Sequence, residues 1–203
     1  MLRGKIELYM LKRLTKEDAF TSACIHMEGM PHDFLTQFGM RFLEYLHELL
    51  ISSEHIITIG YFQRKKLIGI ILVASNTKKA LTDVYKRGFL KLCYFTLKKL
   101  ITKPRIIYHL IQTFLYGQKY EEEKCAEILV LSVTKNHHRK GIGFQLVTRA
   151  KQKLREVSIQ KLKVGTLINN TKANNFYKKH GGIFSHVFSI YCRTWNVYYF
   201  TLT

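Results

Sequence analysis

Glu127-Ile-Leu-Val-Leu-Ser-Val-Thr-Lys-Asn-His-His-Arg-Lys-Gly-Ile-Gly143 is the stretch that decides how the rest of the chain is interpreted. It begins with a short apolar run, Ile128 to Val133, whose residues favour a strand. It then becomes polar and cationic and ends with two glycines one residue apart. From Phe144 onward, apolar residues recur at helical spacing. A strand, a glycine turn and a helix in this order place unpaired backbone N–H groups at the positive end of a helix dipole, which suits a phosphate.

Two common nucleotide-binding motifs share this layout but do not match the residues. A P-loop requires Gly-Lys-Ser/Thr, whereas Lys140 precedes the first glycine and Phe144 follows the second. A dinucleotide-binding fold requires a third glycine, where this chain has Leu146, and an acidic residue in the next strand, where residues 161–167 have none. The segment instead resembles the pyrophosphate loop Gln/Arg-x-x-Gly-x-Gly/Ala of the GNAT acyl-CoA N-acetyltransferase superfamily, with His138 in place of Gln or Arg.

A second segment carries an independent resemblance to the same superfamily. Asn170-x-x-Ala173-x-x-Phe176-Tyr177, followed by two lysines and a glycine pair, is similar to the GNAT pattern downstream of the pyrophosphate loop. Its separation from the first motif is also typical of the family. Together the two motifs extend over residues 127–182, which is more than a quarter of the chain. On these residues the chain is identified as a member of the GNAT superfamily.

The resemblance implies an α/β fold of the α+β type. In this fold a mixed sheet of about seven strands is flanked by helices and splays open between its fourth and fifth strands, at a bulge. Periodicity along the chain predicts elements in the matching order. The expected strands are 5–14, 55–62, 67–74, 127–133, 161–167, 183–190 and 197–202. The expected helices run from a capping box at Thr15–Asp18 to about Met27, from Met40 to Leu50, from the glycine turn to about Val157, and from Asn170 to the glycines at 181 and 182.

Residues 84–119 form an unusual basic segment between the third and fourth strands. They contain eight Lys or Arg and no carboxylate. Apolar residues recur at helical spacing on both sides of Pro104, so we expect a basic helical hairpin inserted in a single domain of residues 1–203. Two interpretations stay open. The helices can pack one apolar face on the domain, or they can lie on an anionic membrane as a peripheral contact.

Composition sets further bounds. The chain has 33 cations against 14 anions, which favours polyanionic partners, among them CoA itself, without selecting one. No secretory signal or membrane-spanning run is evident, so we expect a cytoplasmic protein. The four cysteines are scattered and show no metal-ligand spacing, so we expect reduced thiols and no metal.

The resemblance implies acetyl-CoA as co-substrate and assigns three groups of contacts. In GNAT folds the pantetheine arm pairs with the strand before the glycine turn, main-chain donors of the turn hold the pyrophosphate, and the downstream helix borders the rest of the arm. The residues implied are Leu131, Ser132 and Val133 for the arm and the thioester carbonyl; His138, Arg139, Lys140, Gly141, Ile142, Gly143 and Phe144 for the pyrophosphate; and Asn170, Ala173 and Phe176 for the third group.

Two residues are candidates for acid–base catalysis. Tyr177 occupies the position of the family's general acid, although a Tyr at helical spacing also fits a core residue. Glu127 has the offset from the glycine pair of the Glu in histone-type members, which makes it the candidate base that deprotonates the amine. It could equally be a charged residue paired with Lys or Arg at the start of the strand, with a water chain serving as the proton path.

The expected activity is direct transfer of an acetyl group to a primary amine in a ternary complex. Pro31-x-x-Phe34-Leu-x-x-x-Gly39 and the basic segment resemble, more weakly, acetyltransferases encoded with bacterial surface-polysaccharide genes, which favours a nucleotide- or lipid-linked amino sugar as acceptor. In the family the loop carrying Phe34 walls the acceptor pocket, although the spacing of Phe34 favours core packing. The alternatives are a protein or peptide N-acetyltransferase, and a non-catalytic module that binds CoA or another anion. Nucleic acid is not favoured, and the oligomeric state is open.

Overall fold

The computed structural model describes residues 9–104, 106–109, 111–112 and 125–202. Within these ranges the chain forms a mixed α/β structure with one sheet of seven strands, as the sequence predicts. The strands are β1 Tyr9–Arg13, β2 Ile56–Gln63, β3 Lys66–Ala74, β4 Cys125–Val133, β5 Lys161–Leu167, β6 Ile183–Ile190 and β7 Arg193–Thr201. The α-helices with defined bounds are α1 Ala19–Gly29, α2 Met40–Ser52, α3 Thr77–Thr102, α4 Ile142–Glu156 and α5 Thr171–Lys179.

The strands lie in the order β1-β2-β3-β4-β5-β7-β6. The central pair β4 and β5 is parallel, and every other neighbouring pair is antiparallel. The parallel pair requires a crossover connection, which α4 provides. The glycine turn therefore lies in the connection between the two central strands.

Helices cover both faces of the sheet and form two separate cores. On one face, α1, α2 and part of α3 share a core with Ile70 and Leu72 of β3, and α1 lies directly on that strand. On the other face, α4 packs on Ile71 and Val73 of the same strand. Successive side chains of a strand point to opposite faces, so a continuous apolar run such as β3 is what a strand covered on both faces requires.

The sheet opens between β4 and β5, as expected. Their parallel pairing runs from Cys125 opposite Lys161 to Ile128 opposite Val164. On the other edge of β4 the register moves from Ile128 opposite Val73 to Val130 opposite Leu72, so Leu129 is the extra residue of a β-bulge. A bulge bends its strand and increases the local twist. It therefore turns the second half of β4 away from β5.

Most predicted element boundaries agree with the structure, and β7 is the clearest exception. It begins at Arg193, four residues before the predicted start at Val197. Tyr191 and Cys192 both have φ of 56° and form a tight turn, which pairs β6 and β7 from Ile190 opposite Arg193. The apolar pattern missed these residues because the first part of β7 is polar. In the predicted first strand, residues 5–8 lie outside the described residues, and β1 occupies 9–13.

The basic segment begins with a longer helix than predicted. Its first helix, α3, starts at Thr77 rather than near Val84, because the side chain of Asn76 caps it by accepting a hydrogen bond of 2.8 Å from the N–H of Lys79. Residues 106–109 and 111–112 are helical after Pro104. Residues 105, 110 and 113–119 of the predicted hairpin lie outside the described residues. Within the described part of the chain, no helix has the length and apolar content needed to cross a bilayer.

A buried histidine pair joins α1 to α2. Nε2 of His47 lies 2.9 Å from Nδ1 of His26, and Nδ1 of His47 lies 2.8 Å from Oγ of Ser22. All three residues are buried. Burial, together with the neighbouring His26, lowers the pKa of His47 to about 3, so this ring is neutral in the folded protein at neutral pH.

The lowered pKa of His47 makes the fold sensitive to acid. The unfolded chain protonates this ring near its ordinary pKa of 6.5, whereas the folded chain resists protonation down to about 3. Its contribution to stability is therefore complete above pH 6.5 and is lost progressively below it. From about pH 7 to about pH 5, this group should lower the free energy of unfolding by about 2 kcal/mol.

Urea unfolding at the two pH values measures this loss. His47→Gln cannot titrate and should show a smaller fall in unfolding free energy between them than the native chain. An equal fall in both proteins would contradict the assignment.

Candidate active site

The glycine turn has the backbone geometry of an anion site. Gly141 is the N-cap of α4 with φ of 76°, and Arg139 has φ of 61°, so the chain turns sharply through the left-handed region. The first intrahelical bond runs from the N–H of Gln145 to the carbonyl of Gly141, at 3.1 Å. The N–H groups of residues before Gln145 in the first turn have no acceptor within the helix, and they lie at the positive end of the helix dipole. Successive donors in such a turn form a concavity that fits a phosphate.

His138 closes the base of this turn. Its Nε2–H donates a hydrogen bond of 2.8 Å to the carbonyl of Val133, the last residue of β4. The side chain thus ties the loop to the strand that precedes it. A histidine in place of the usual Gln or Arg is compatible with the turn. Arg139 and Lys140 follow it with exposed side chains, which places two cations beside the main-chain donors.

An aromatic contact joins the first turn of α4 to α5. The half-exposed ring of Phe144 stacks on His180 with centroids 4.5 Å apart, and Phe176 meets the same imidazole edge-on at 4.7 Å. A methyl group on Gly143 would lie 3.5 Å from the Phe176 ring, an ordinary contact. Sequence reasoning assigned no role to His180, although its position four residues after Phe176 places both on one face of α5. Partial burial, and then Lys179 and Lys151, lower the pKa of His180.

Ser132 attaches β4 to α1 instead of pointing into the opening of the sheet. Its side chain is buried, and its Oγ donates a hydrogen bond of 2.8 Å to the carbonyl of Ile25. A methyl group on Gly29 would collide with this hydroxyl, so α1 approaches the strand closely at that point. The Ser132 hydroxyl therefore serves to hold α1 against β4.

The main-chain groups that face the opening can be identified from the ladder with β3. The N–H of Thr134 donates to the carbonyl of Ile68 at 2.9 Å, and Ser132 is opposite Ile70. Main-chain groups of alternate residues point to opposite edges of a strand. The backbone of Ser132 is thus directed toward β3, whereas the backbones of Leu131 and Val133 are directed toward β5 and the splay.

Tyr177 lies in the core between α5 and the sheet. It is buried, and its ring contacts Phe176, Tyr198 and Phe200 at centroid distances of 5.3, 6.2 and 6.3 Å. Burial strongly raises the pKa of its phenol. The hydroxyl is therefore protonated at neutral pH and can act as a donor.

Asn170 and Ala173 form the start of α5. The exposed Asn170 is its N-cap, and its Oδ1 accepts a hydrogen bond of 3.1 Å from the N–H of Ala173. This bond satisfies one orphan donor of the helix. The side-chain oxygen of Asn170 is thus engaged in capping.

Asn174 is a residue that sequence reasoning missed. It is buried, and its Nδ2 donates to the carbonyls of Leu167, at 2.9 Å, and Asn170, at 2.8 Å. Its Oδ1 accepts from the amide of Asn196 and the hydroxyl of Tyr198, both at 2.8 Å. These bonds fix α5 against β5 and β7. A polar residue at helical spacing gives no signal of such a role from sequence alone.

Glu127 lies near the point where β4 and β5 separate, on the face covered by α1, α2 and α3. Its buried carboxylate accepts a hydrogen bond of 2.8 Å from Oγ1 of Thr77 and lies 3.6 Å from Nζ of Lys163, which is opposite it on β5. The carboxylate is thus paired with a cation, which is one of the two alternatives that the sequence leaves open. The glycine turn and α4 are on the other side of the sheet. In the described part of the chain, no group of three or more His, Cys, Asp or Glu is arranged to hold a metal.

The model of one protein family matches most of this chain. Residues 26–182 match the acetyltransferase (GNAT) family, and this range includes the end of α1, α2, the opening between β4 and β5, the glycine turn and α5. A search of curated proteins found no match.

Solved structures show the same fold at low sequence identity. The ribosomal-protein-S18-alanine N-acetyltransferase from Escherichia coli has a TM-score of 0.62 at 9% identity, covering 97% of this chain and 95% of that one. A mutant of the spermidine N-acetyltransferase SpeG from Vibrio cholerae has a TM-score of 0.59 at 14% identity, covering 96% and 94%. PaiA N-acetyltransferase from Thermoplasma acidophilum, solved with coenzyme A, has a TM-score of 0.55 at 15% identity, covering 94% and 98%.

The two glycines of the turn should respond differently to alanine. Gly141→Ala places a side chain at a positive φ and should lower the free energy of unfolding by about 1 kcal/mol. Gly143→Ala adds a methyl group in ordinary contact with Phe176 inside a helix and should be close to neutral or slightly stabilising. Urea unfolding of both variants measures the difference. Equal effects would show that the turn is not held in the left-handed conformation.

Proposed function

We propose that this chain, which belongs to the GNAT family of acetyltransferases, transfers the acetyl group of acetyl-CoA directly to a primary amine in a ternary complex. The observation that carries the proposal is the combination of a strand edge opened at Leu129 with a left-handed glycine turn at the N-terminus of α4, joined by a single short loop. One end of this arrangement suits an extended amide-bearing chain, and the other suits a diphosphate.

The residues present fit CoA on their chemistry. The backbones of Leu131 and Val133 are directed toward the splay, where they can pair with pantetheine amides as a further strand would. Main-chain donors from Arg139 to Phe144, with the side chains of Arg139 and Lys140, can hold the pyrophosphate. The carbonyl of Val133 already accepts a hydrogen bond from His138. In this assignment the backbone N–H of Val133 is therefore the group that pairs with the pantetheine arm.

Acetyl-CoA supplies an activated thioester, and the chain supplies position and proton transfer. Holding the thioester and the amine together removes most of the entropic barrier to their encounter. The amine forms the new C–N bond as the C–S bond breaks, its proton passes to a base, and the departing sulfur takes a proton or a hydrogen bond from a donor.

Tyr177 is proposed as that donor. Burial raises the pKa of its phenol, so the hydroxyl stays protonated over the physiological range. It is therefore available to donate a hydrogen bond to the departing sulfur. The rings of Tyr198 and Phe200 restrict its orientation. Such a fixed and desolvated donor is effective because it needs no reorganisation during the reaction.

Glu127 is proposed as the base, or as the first group of a short proton path from the amine. Its carboxylate lies on the face opposite α4, so an amine entering from the side of α1 and α2 would approach it while CoA occupies the other side. Thr77 holds the carboxylate from one side, and Lys163 lies opposite it. The pairing with Lys163 is also consistent with a purely structural role, and the variants described below separate the two.

An amino sugar linked to a nucleotide or lipid is the acceptor that we propose. Its phosphates would be attracted by a chain whose net charge is +19. Phe34, in the loop between α1 and α2, is buried and stacks on Tyr191 of the β6–β7 turn with centroids 4.7 Å apart. This contact supports an acceptor site enclosed between the loop and the turn, with Phe34 as part of its packed wall.

A protein or peptide amine is the second candidate. It is favoured by the position of Glu127, which matches the offset of the glutamate in histone-type members of the superfamily. The enzyme would work in the cytoplasm in either case. The scattered cysteines, which show no paired spacing in the sequence, support a reducing compartment.

Thiol release from acetyl-CoA tests the proposed activity. Purified protein is supplied with amino sugars, nucleotide-linked amino sugars, polyamines and peptides, and free CoA thiol is measured. Stimulation by a nucleotide-linked amino sugar above all other amines is the expected result. Preference for a peptide would select the second candidate, and CoA binding without stimulation by any amine would contradict acetyl transfer to these acceptors.

Tyr177→Phe should lower kcat by at least roughly tenfold with little change in KM for acetyl-CoA, because it removes a donor that acts as the C–S bond breaks. Tyr198→Phe is the matched control. It removes, from the same core, a hydroxyl that donates to Asn174. It should therefore lower the melting temperature and reduce kcat less than Tyr177→Phe does. A Tyr177→Phe enzyme with unchanged kcat would assign Tyr177 to packing.

Glu127→Gln should lower kcat/KM at neutral pH by at least roughly tenfold and recover activity at alkaline pH, where the acceptor amine is already neutral. Lys163→Gln is the control, since it breaks the ion pair and keeps the carboxylate. If both variants lose stability and activity equally, the pair is structural. Unchanged activity of Glu127→Gln at neutral pH would exclude it as the base.

A further inference from the structure

The helix α3 has two apolar faces, and the described residues cover only one of them. Its inner face packs on α2 through Val84, Gly88 and Leu92, which are buried. A methyl group on Gly88 would collide with Leu49 of α2, so the two helices are in close contact there. This inner face accounts for the packing that a helix beside the domain requires.

A second apolar stripe faces outward. Leu90, Tyr94, Leu97 and Ile101 are 82%, 59%, 63% and 86% exposed. Their spacing of four, three and four residues places them on one side of the helix, along roughly 16 Å of its length. Large side chains exposed in a continuous row indicate a contact surface, whereas single exposed apolar residues are common.

Cations flank this stripe. The helix carries seven Lys or Arg and one acidic residue, Asp83, which is paired with Arg87 at 2.7 Å. Lys86 and Lys98 are exposed beside the apolar row, whereas Nζ of Lys91 lies 4.0 Å from the ring centroid of Tyr45 on α2. Beyond Pro104 further apolar side chains are exposed, namely Ile107, Tyr108 and Ile111.

We infer that the outward face of α3 docks on the surface of an anionic lipid bilayer. Apolar side chains of an interfacial helix enter the boundary between headgroups and acyl chains, while flanking lysines reach lipid phosphates. The sequence left two interpretations of this segment open, packing on the domain and contact with a membrane. In this inference each interpretation applies to one face of α3: the inner face packs on the domain, and the outer face contacts lipid.

Other occupants fit the surface less well. A second copy of this chain would bring another strongly basic helix against the first, in a protein of net charge +19. A nucleic acid would match the lysines but would leave the aliphatic row without an apolar partner. A bilayer with acidic headgroups satisfies both parts of the surface. The inference does not depend on the acyl-transfer chemistry.

The test is sedimentation of the 203-residue chain with vesicles of phosphatidylcholine alone and with about one third phosphatidylglycerol, at low and high salt. We expect binding to the anionic vesicles and much less to the neutral ones. The combined variant Leu90→Ser, Leu97→Ser and Ile101→Ser should weaken binding roughly tenfold or more, without a loss of melting temperature, because these side chains are exposed.

Charge variants supply the matched control. Lys86→Gln and Lys98→Gln together should weaken binding more than Lys16→Gln and Lys65→Gln together, which remove the same charge from exposed sites elsewhere. Equal effects of the two charge variants would show nonspecific attraction and overturn the inference. Unchanged vesicle binding by the serine variant would also overturn the inference. So would a dimer in solution that the serine variant abolishes, because the stripe would then be a contact between copies of the chain.

Discussion

The limited pairing of β4 with β5 is the constraint on which the rest of the structure depends. The two strands stay paired only as far as Ile128 and Val164, and the bulge at Leu129 bends β4 away beyond that point. Main-chain groups that a complete sheet would use internally are thereby directed into an opening. The loop leaving this strand is the glycine turn, so the open edge and the anion site come from one continuous segment.

The two helical layers around this opening have different tasks. On the face of α4 and α5, the turn at Gly141 provides donors, and Tyr177 is held in an apolar core by Tyr198 and Phe200. On the face of α1, α2 and α3, Ser132 bonds to the carbonyl of Ile25, and Glu127 bonds to Thr77. Each layer is therefore attached to β4 by its own contacts. In the proposed ternary complex, cofactor and amine would approach from opposite faces.

The sequence predicts the parts of the fold that rest on local chemistry. The capping box is present, with Oδ2 of Asp18 accepting from the N–H of Thr15 at 2.8 Å, and the strand β6 has the predicted bounds. The polar start of β7 and the start of α3 were misjudged, because the first depends on pairing with β6 and the second on the cap at Asn76. The spacing of apolar residues reflects which face of one element is buried, and it carries no information about the strand with which that element pairs.

The site could be predicted as far as its motifs extend. The glycine turn lies where the sequence placed it, since a positive φ at Gly141 and a helix directly after it are local properties. The network of Asn174, the stacking of His180 and the orientation of Ser132 toward α1 depend on residues distant in sequence, and no spacing rule reports them. The pairing of Glu127 with Lys163 was foreseen as one of two alternatives, but its partner could be identified only from the register of β4 against β5.

Calorimetric titration with CoA, compared with pantetheine, tests the central claim most directly. The two ligands share the arm that would lie along β4, and only CoA carries the diphosphate that the turn would hold. The account predicts that CoA binds with a stoichiometry of one and that pantetheine binds at least roughly a hundredfold more weakly, since the charge-assisted bonds to the turn are lost. Absence of heat with CoA, or equal affinity for the two ligands, would contradict it.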